Sequence, residues 1–307
     1  MTTAIGASRR VICLGLAALD RIWRIAEFAP APRKLRAIGM EEIGGGMAAT
    51  AAVAAARLGG QVALWSRVGE DSAGIAIREG LAREGVDVTN VRRFPGALSS
   101  TSGVFIDAAG ERLVANFRGQ NLPTDPSWLP LHEVAEADAV LADVRWPEGA
   151  AALFAAARRA GVPTVLDGET DGAAWLPVLL PLTDYAILSV QGLTEFAPGA
   201  AEDGLARARA AGGRHAGVTQ GAEGYLWRDD AGLHRAPAFR VAAVDTNGAG
   251  DAFHGAFALA LAEGRLLDAC VRMASATAAL KCLCPGTRAG LPDRAALERF
   301  LATETVA

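Results

Sequence analysis

Long apolar runs are the first thing this chain is short of. The N-terminal run, Val11 to Leu19, covers only about nine residues, whereas a bilayer-spanning helix needs about 20. Arg9 and Arg10 precede it, but no clear cleavage site follows. It is expected to be a first buried strand, not a leader or an anchor. Charge of a single sign is lacking too. Thirty Lys and Arg stand against 34 Asp and Glu, giving a formal net charge of -4 and an isoelectric point near 5.7. No basic block stands out, which argues against nucleic acid as a partner. Small anionic ligands stay open, because a local site decides them. Cysteine is scarce. Cys13 and Cys270 lie in apolar stretches and read as small core residues. Cys282 and Cys284 form a C-x-C with no second pair to complete a metal site. A reducing cytoplasm is the expected setting. Internal repeats, low-complexity linkers and a second domain boundary are also missing, so residues 1–307 are expected to form one domain.

What is present is a large hydrophobic fraction, 51%, beside 21% charged residues. That supports a sizeable core and excludes a disordered chain. Short apolar runs alternate with Ala-rich stretches. Strands are expected at Val11–Leu16, Gln61–Val68, Ala139–Val144, Thr164–Asp167, Tyr185–Ser189 and Gly217–Gln220. Helices are expected at Met47–Leu58, Ser72–Glu84, Ala150–Ala160, Glu202–Ala211, after Asp251, and at Leu267–Leu280. Strands separated by helices of this length predict an α/β fold whose mainly parallel sheet is covered on both faces. Two stretches break the rhythm. Residues 21–43 alternate only in patches, and Ser99–Phe117 reads as a hairpin around Ala108-Ala109-Gly110. Together they predict a small β-lid from segments near 20–45 and 96–118.

The strongest chemical signal is Val244-Asp245-Thr246-Asn247-Gly248-Ala249-Gly250-Asp251-Ala252-Phe253-His254-Gly255. Small residues between a strand and a helix let backbone N–H groups approach an anion at the helix N-terminus. Asp251 at that mouth could accept a hydroxyl proton while the amides hold a phosphoryl group. The same aspartate could equally be a helix cap.

The run DTNGAGDAFHG resembles the C-terminal signature of the ribokinase-like, PfkB-family carbohydrate kinases, and GGGMAATAAVAAARLGGQVALWSRVGEDSAG resembles their N-terminal one. The resemblance spans nearly the whole chain. It implies a three-layer ribokinase-like fold, with ATP and Mg²⁺ as cofactors and a small sugar as acceptor. It also implies Asp251 as catalytic base and Gly248, Ala249 and Gly250 as the anion hole. Asp20, in GLAALD, falls where the family grips substrate hydroxyls. Gly45 and Gly46 match its sugar-approach glycines. Thr219, Gly221 and Gly224 match its T-x-G-x-x-G turn at the nucleotide phosphates. A lid of few strands leaves one apolar face and unpaired edges exposed, and lid-mediated dimers are common in the resembling family, so a homodimer through the lid is expected; a monovalent-cation loop around Asp245 is left open.

The chain also departs from the pattern. Thr50 stands where an asparagine often contacts the sugar. The usual N-x-x-E spacing falls on Gln191 and Thr194, with Glu195 displaced by one, so no protein ligand for magnesium is assigned. The words VLADVRW, TVLDGE, VTQG and AALKCLCPGTRAGLPD resemble the 6-deoxy-6-sulfofructose kinases of sulfoglycolysis within this family. That likeness implies Lys34, Asn116 and Arg145 as the grip on a C6 sulfonate. Other acceptors stay in view: fructose, fructose 6-phosphate, tagatose 6-phosphate and 2-keto-3-deoxygluconate. A sugar or nucleotide sensor that does no chemistry is a third reading, disfavoured by the intact Asp251 and anion-hole residues.

Overall fold

The computed structural model describes residues 9–28 and 34–303. Its strands are β1 (Arg10–Leu14), β2 (Ala18–Ile25), β3 (Ala37–Gly45), β4 (Gln61–Gly69), β5 (Val91–Phe94), β6 (Ser100–Ile106), β7 (Arg112–Phe117), β8 (Ala139–Asp143), β9 (Thr164–Gly168), β10 (Tyr185–Ser189), β11 (His215–Thr219), β12 (Tyr225–Asp229) and β13 (Gly232–Ala236). Its α-helices are α1 (Met47–Arg57), α2 (Ser72–Arg83), α3 (Pro147–Ala160), α4 (Leu176–Leu179), α5 (Val190–Phe196), α6 (Ala201–Ala210), α7 (Ala249–Ala262), α8 (Leu267–Cys282) and α9 (Arg294–Thr303). The large sheet runs β13-β12-β11-β10-β9-β8-β1-β4-β5, and every pairing from β11 through to β5 is parallel. Parallel strands present their C-terminal ends at one edge. There Asp143, Gly168, Ser189 and Thr219 end β8, β9, β10 and β11.

Period-two alternation divides the core between the two faces of this sheet. Val11 and Cys13 of β1 belong to one apolar cluster with α1, α7 and α8. Ile12 and Leu14 belong to the other, with Trp65, Leu153 and Phe154. Helices thus cover both faces, as a sheet of near-continuous apolar strands requires.

The second sheet has the order β3-β2-β6-β7. The stretch that alternated only in patches supplies β2 and β3, an antiparallel pair that closes at Ala18↔Gly45. The expected hairpin is β6-β7, with Gly110 at φ 86 in its loop. Registered pairs place Ile43, Asp20, Ser102 and Asn116 in one lateral row across all four strands. Residues in one row project from the same face.

Several boundaries shift from expectation for local reasons. Helix α3 begins at Pro147, which suits a first helical turn because it has no N–H to leave unpaired. Helix α7 begins at Ala249, so Asp251 lies inside its first turn, not ahead of it. Strand β11 runs His215–Thr219, earlier than Gly217–Gln220. Strand β5, VRRF, carries two exposed arginines and no alternation to betray it.

One buried carboxylate ties the body together at the sheet's C-terminal edge. Asp143 is fully buried and accepts the N–H groups of Leu16 (2.8 Å), Ala48 (3.1 Å) and Arg145 (2.8 Å). It thereby joins the end of β1, the N-terminus of α1 and the end of β8. Burial still leaves its pKa raised, because desolvation outweighs those amide bonds. Asp143→Ala should destabilise the fold by on the order of 3 kcal/mol, since each buried amide left without an acceptor costs about 1–3 kcal/mol. Urea denaturation followed by circular dichroism would read this as a lower midpoint.

Candidate active site

The turn 245–248 is built on the C-terminus of α8. The N–H groups of Val244 and Asp245 donate to the Cys282 carbonyl (2.7 and 3.2 Å). The Asp245 carboxylate accepts the Asn247 N–H at 3.0 Å and the Gly286 N–H at 2.9 Å. The turn then enters α7 through Gly248 at φ 76. That left-handed backbone favours glycine, and the space does too: a Cβ at Gly248 would lie 2.6 Å from Thr287 Cγ2. Gly248, Ala249 and Gly250 therefore sit at a helix N-terminus, whose dipole favours an anion; of their N–H groups, that of Ala249 donates to the Thr246 carbonyl at 3.1 Å.

Asp251 follows in the first turn of α7, in a crowd of acids. Its pKa is pushed well above the usual carboxylate range, first by burial and then by the Asp167 charge, with Asp143 and Glu169 adding to it. Asp167 is raised in turn by burial and by Asp143 and Glu169. Beneath them lies His254, one helical turn on. Its Nδ1 is 2.8 Å from the Gly250 carbonyl, and its Nε2 is 3.1 Å from the Ile187 carbonyl and 3.6 Å from Asp167 Oδ1. A neutral ring has one N–H, so it can donate to only one of these acceptors at a time. Burial lowers the His254 pKa.

Across the cleft, Asp20 projects from β2. Burial raises its pKa, while the Ser102 hydroxyl and the Arg288 charge pull it down. Gly45 faces it, and a Cβ there would strike the Asp20 carboxylate. Gly46 caps α1 at φ 93. Arg288 completes the connection. Its guanidinium is buried, donates from Nη2 to the Gly45 carbonyl at 2.8 Å, and lies within electrostatic reach of both Asp20 and Asp251. Burial lowers its pKa to about 10, and its Nε has no partner. Asp20, Arg288, Asp245 and Asn247 line a cleft of about 610 Å³ between the lid and the 244–247 and 285–289 loops.

The other residues singled out by sequence fall in three places. Thr50 is in the first turn of α1, fully buried, with its hydroxyl unpartnered. Its methyl would lie 3.6 Å from a Cβ at Gly248. Thr219 ends β11, and Gly221 and Gly224 take φ 56 and 93 in the turn into β12. Asn116 shares the lateral row of Asp20 and Ser102 and is exposed. Arg145 donates to the Thr170 carbonyl at 2.8 Å and lies 3.6 Å from Asp171, which also bonds Arg118 just beyond β7. Lys34 is exposed ahead of β3. Glu195 accepts the Asp171 N–H at 2.7 Å.

Sequence reasoning missed Arg288, Asp167 and His254. The last two carry no signal beyond a polar residue in a strand and on a helix. Arg288 stood in the quoted word CPGTRAGLPD but gave no reason to expect burial. Among the described residues no three His, Cys, Asp or Glu side chains converge on a metal position. A free monovalent cation at Asp245 does not fit. The carboxylate faces Arg112 Nη2 at 3.2 Å besides its two amides, and the carbonyl already receives Lys281 Nζ at 2.7 Å.

Known proteins match this arrangement. The sequence profile described as pfkB family carbohydrate kinase matches residues 8–294. Ribokinase of Bacillus subtilis (strain 168) is 28% identical over 296 residues, 95% of this chain and 99% of the relative. A crystal structure from Agrobacterium tumefaciens, provisionally named a ribokinase, is 36% identical with a TM-score of 0.90, covering 96% of this chain and 98% of that one. Ribokinase of Arabidopsis thaliana, solved with ribose and ATP, is 25% identical with a TM-score of 0.85, covering 96% and 99%. With its two-sheet fold, its glycine turn into α7 and a match over nearly all its length, this chain belongs to the pfkB family of carbohydrate kinases.

Proposed function

We propose that this ATP-dependent sugar kinase phosphorylates the C1 hydroxyl of 6-deoxy-6-sulfofructose. The observation that carries this reading is the row Asp20–Ser102–Asn116 across the lid. A sugar gripped at its hydroxyls by Asp20 would lie along that row, with Asn116 two strands away from the grip. Arg145 approaches the same end, since it and Arg118 meet at Asp171. An amide and a cation suit a tetrahedral anion with three oxygens. Lys34 would add a second cation from the start of β3. A sulfonate carries one charge, whereas a phosphate monoester carries about −1.5 to −2, so two cations lean towards the sulfonate. A neutral pentose is the second reading, favoured by the likeness to the Arabidopsis ribokinase solved with ribose.

In the reaction the amides of Gly248–Gly250 would hold the transferring phosphoryl group, and Asp251 would take the proton of the attacking C1 oxygen. Thr219, Gly221 and Gly224 would flank the nucleotide phosphates. Magnesium, when bound with ATP, supplies neutralisation of the phosphate oxygens. Arg288, between Asp20 and Asp251, would screen the two carboxylates from each other as the sugar binds. The need for ATP suits a cytoplasmic enzyme.

The lid also carries exposed apolar residues on its outer strands, including Ile38, Met40 and Leu113. We read these as a homodimer interface, since a four-stranded sheet leaves edges and apolar surface to cover. Light scattering at micromolar concentration should give twice the monomer mass, and Met40→Asp should halve it. A monomeric wild type would contradict the interface.

Two substitutions test the chemistry. Asp251→Asn keeps the shape and removes the base, which should lower kcat by about 10²–10⁴ with ATP binding intact. It should also raise Tm at neutral pH. A carboxyl whose folded pKa exceeds its unfolded value contributes stability below the unfolded pKa and loses it as pH rises through the folded one. The gain in Tm should therefore shrink as the pH is lowered towards the ordinary Asp value of about 3.9. Arg145→Ala should raise the KM for sulfofructose about tenfold or more, as loss of a charged hydrogen bond worth about 1.5–3 kcal/mol implies, with the KM for ATP unchanged. Equal use of ribose and sulfofructose by the wild type would discard the sulfonate reading and leave the sugar kinase standing.

A further inference from the structure

The sequence holds only two lysines, Lys34 and Lys281, among 30 lysines and arginines. Nearly every other cation is a guanidinium, so the place of Lys281 asks for an explanation. It lies in the last turn of α8, and its side chain is wholly buried. Nζ donates to the Asp245 carbonyl at 2.7 Å and stands 3.9 Å from Asp245 Oδ1. Asp245 begins the turn that delivers Gly248–Gly250. The same ammonium lies beside the C-terminus of α8, where the Cys282 carbonyl holds the Val244 and Asp245 N–H groups. The loop after α8 is drawn in as well, through Gly286 N–H on Asp245 Oδ2 at 2.9 Å.

The surroundings are therefore a nest of negative potential: a helix C-terminus, a backbone carbonyl and a carboxylate. Such a nest calls for a compact cation. An ammonium is a point charge on a flexible stem, whereas a guanidinium is a planar fork that would need a wider slot. Arg112, 3.2 Å from the outer side of the same carboxylate, supplies the fork where there is room. Burial, the largest influence, lowers the Lys281 pKa and Arg112 adds to that, while Asp245, Cys282 and Cys284 oppose it. A buried ammonium with no compensation would be strongly disfavoured, and here the carbonyl and the carboxylate compensate it.

We propose that the Lys281 ammonium is a tethered cation for the strap that carries the anion hole, so that this kinase positions Gly248–Gly250 without a free monovalent cation. Lys281 is a positioning residue: it touches the strap and leaves the phosphoryl group to the amides. The inference rests on the kinase reading for its consequence in turnover, but the tethered cation itself is readable in an unliganded thermal measurement.

The experiment compares wild type, Lys281→Ala and Lys281→Met in buffers of equal ionic strength made with potassium, sodium, ammonium or tetramethylammonium chloride. Each protein is followed by thermal melting without nucleotide and by steady-state kinetics with ATP. Wild type should show the same Tm and the same kcat in all four salts. Lys281→Ala opens a space the size of the lost side chain and should lose about 10²-fold in kcat, as a misplacement on the order of 1 Å can cause. Potassium or ammonium should then raise both its Tm and its kcat, while tetramethylammonium does neither. Lys281→Met fills the space with an uncharged side chain, so it should be slow and unmoved by any salt. Activation of wild type by potassium over tetramethylammonium would overturn the proposal, whether or not the variants fold. A folded Lys281→Ala whose Tm and kcat ignore potassium and ammonium would overturn it too, and would leave Lys281 a packing residue. If the melting arm holds and no sugar is phosphorylated, the tethered cation stands and the kinase reading fails.

Discussion

The crowding of carboxylates at the N-terminus of α7 is the constraint to which the rest of this molecule answers. Burial raises both Asp251 and Asp167, the Asp167 charge adds to Asp251, and Asp143 and Glu169 add to both. Like charges held this close cannot all ionise cheaply. What makes the cluster tolerable is its setting: amides at a helix N-terminus, three backbone N–H groups on Asp143 and a buried guanidinium at Arg288. A strained group of acids is a poor way to stabilise a fold. It is a good way to keep one carboxylate ready to take a proton.

The cationic groups organise the space around that cluster. Arg288 links the end of β3 to the loop after α8 through the Gly45 carbonyl. Lys281, in the last turn of α8, ties that helix to the turn that leads into α7 through the Asp245 carbonyl. Asp245, in turn, meets the lid through Arg112 at the start of β7. Lid, anion hole and C-terminal loop are thus connected by a short chain of charged contacts.

The parallel sheet was readable because its strands are apolar on both faces and its helices are Ala-rich, two periods that do not imitate each other. The glycine turn into α7 was readable because small residues at a strand-to-helix junction have few other uses. The lid was visible only as a break in rhythm, and its four-strand order was not. That order depends on β2 pairing with β6 in parallel across about 80 residues, which local pattern does not encode. Strand β5 was missed because its exposed arginines hide the alternation, and the β12–β13 hairpin because β12 opens on three consecutive buried residues and β13 is short and mostly half-exposed. In the site, the candidates legible in the sequence were those with a distinctive local word, including Asp20, Gly45 and Asp251. Arg288, Asp167 and His254 were not, because their role comes from burial beside other charges, and burial of a single polar side chain leaves no periodic trace. Thr50 was noticed as a departure, but its complete burial could not be foreseen from a small polar residue in an Ala-rich helix.

The central claim is that Asp251 takes the substrate proton from within an acidic, desolvated site. The most direct measurement is the pH dependence of kcat/KM with ATP and the accepted sugar. Asp251 must be ionised to act, so the rate should rise with pH through an apparent pKa above the ordinary Asp value of about 3.9. That acid limb should be absent from the residual activity of Asp251→Asn. A wild-type profile that stays flat down to the pH at which ordinary carboxylates titrate, or an acid limb that survives unchanged in Asp251→Asn, would contradict the account.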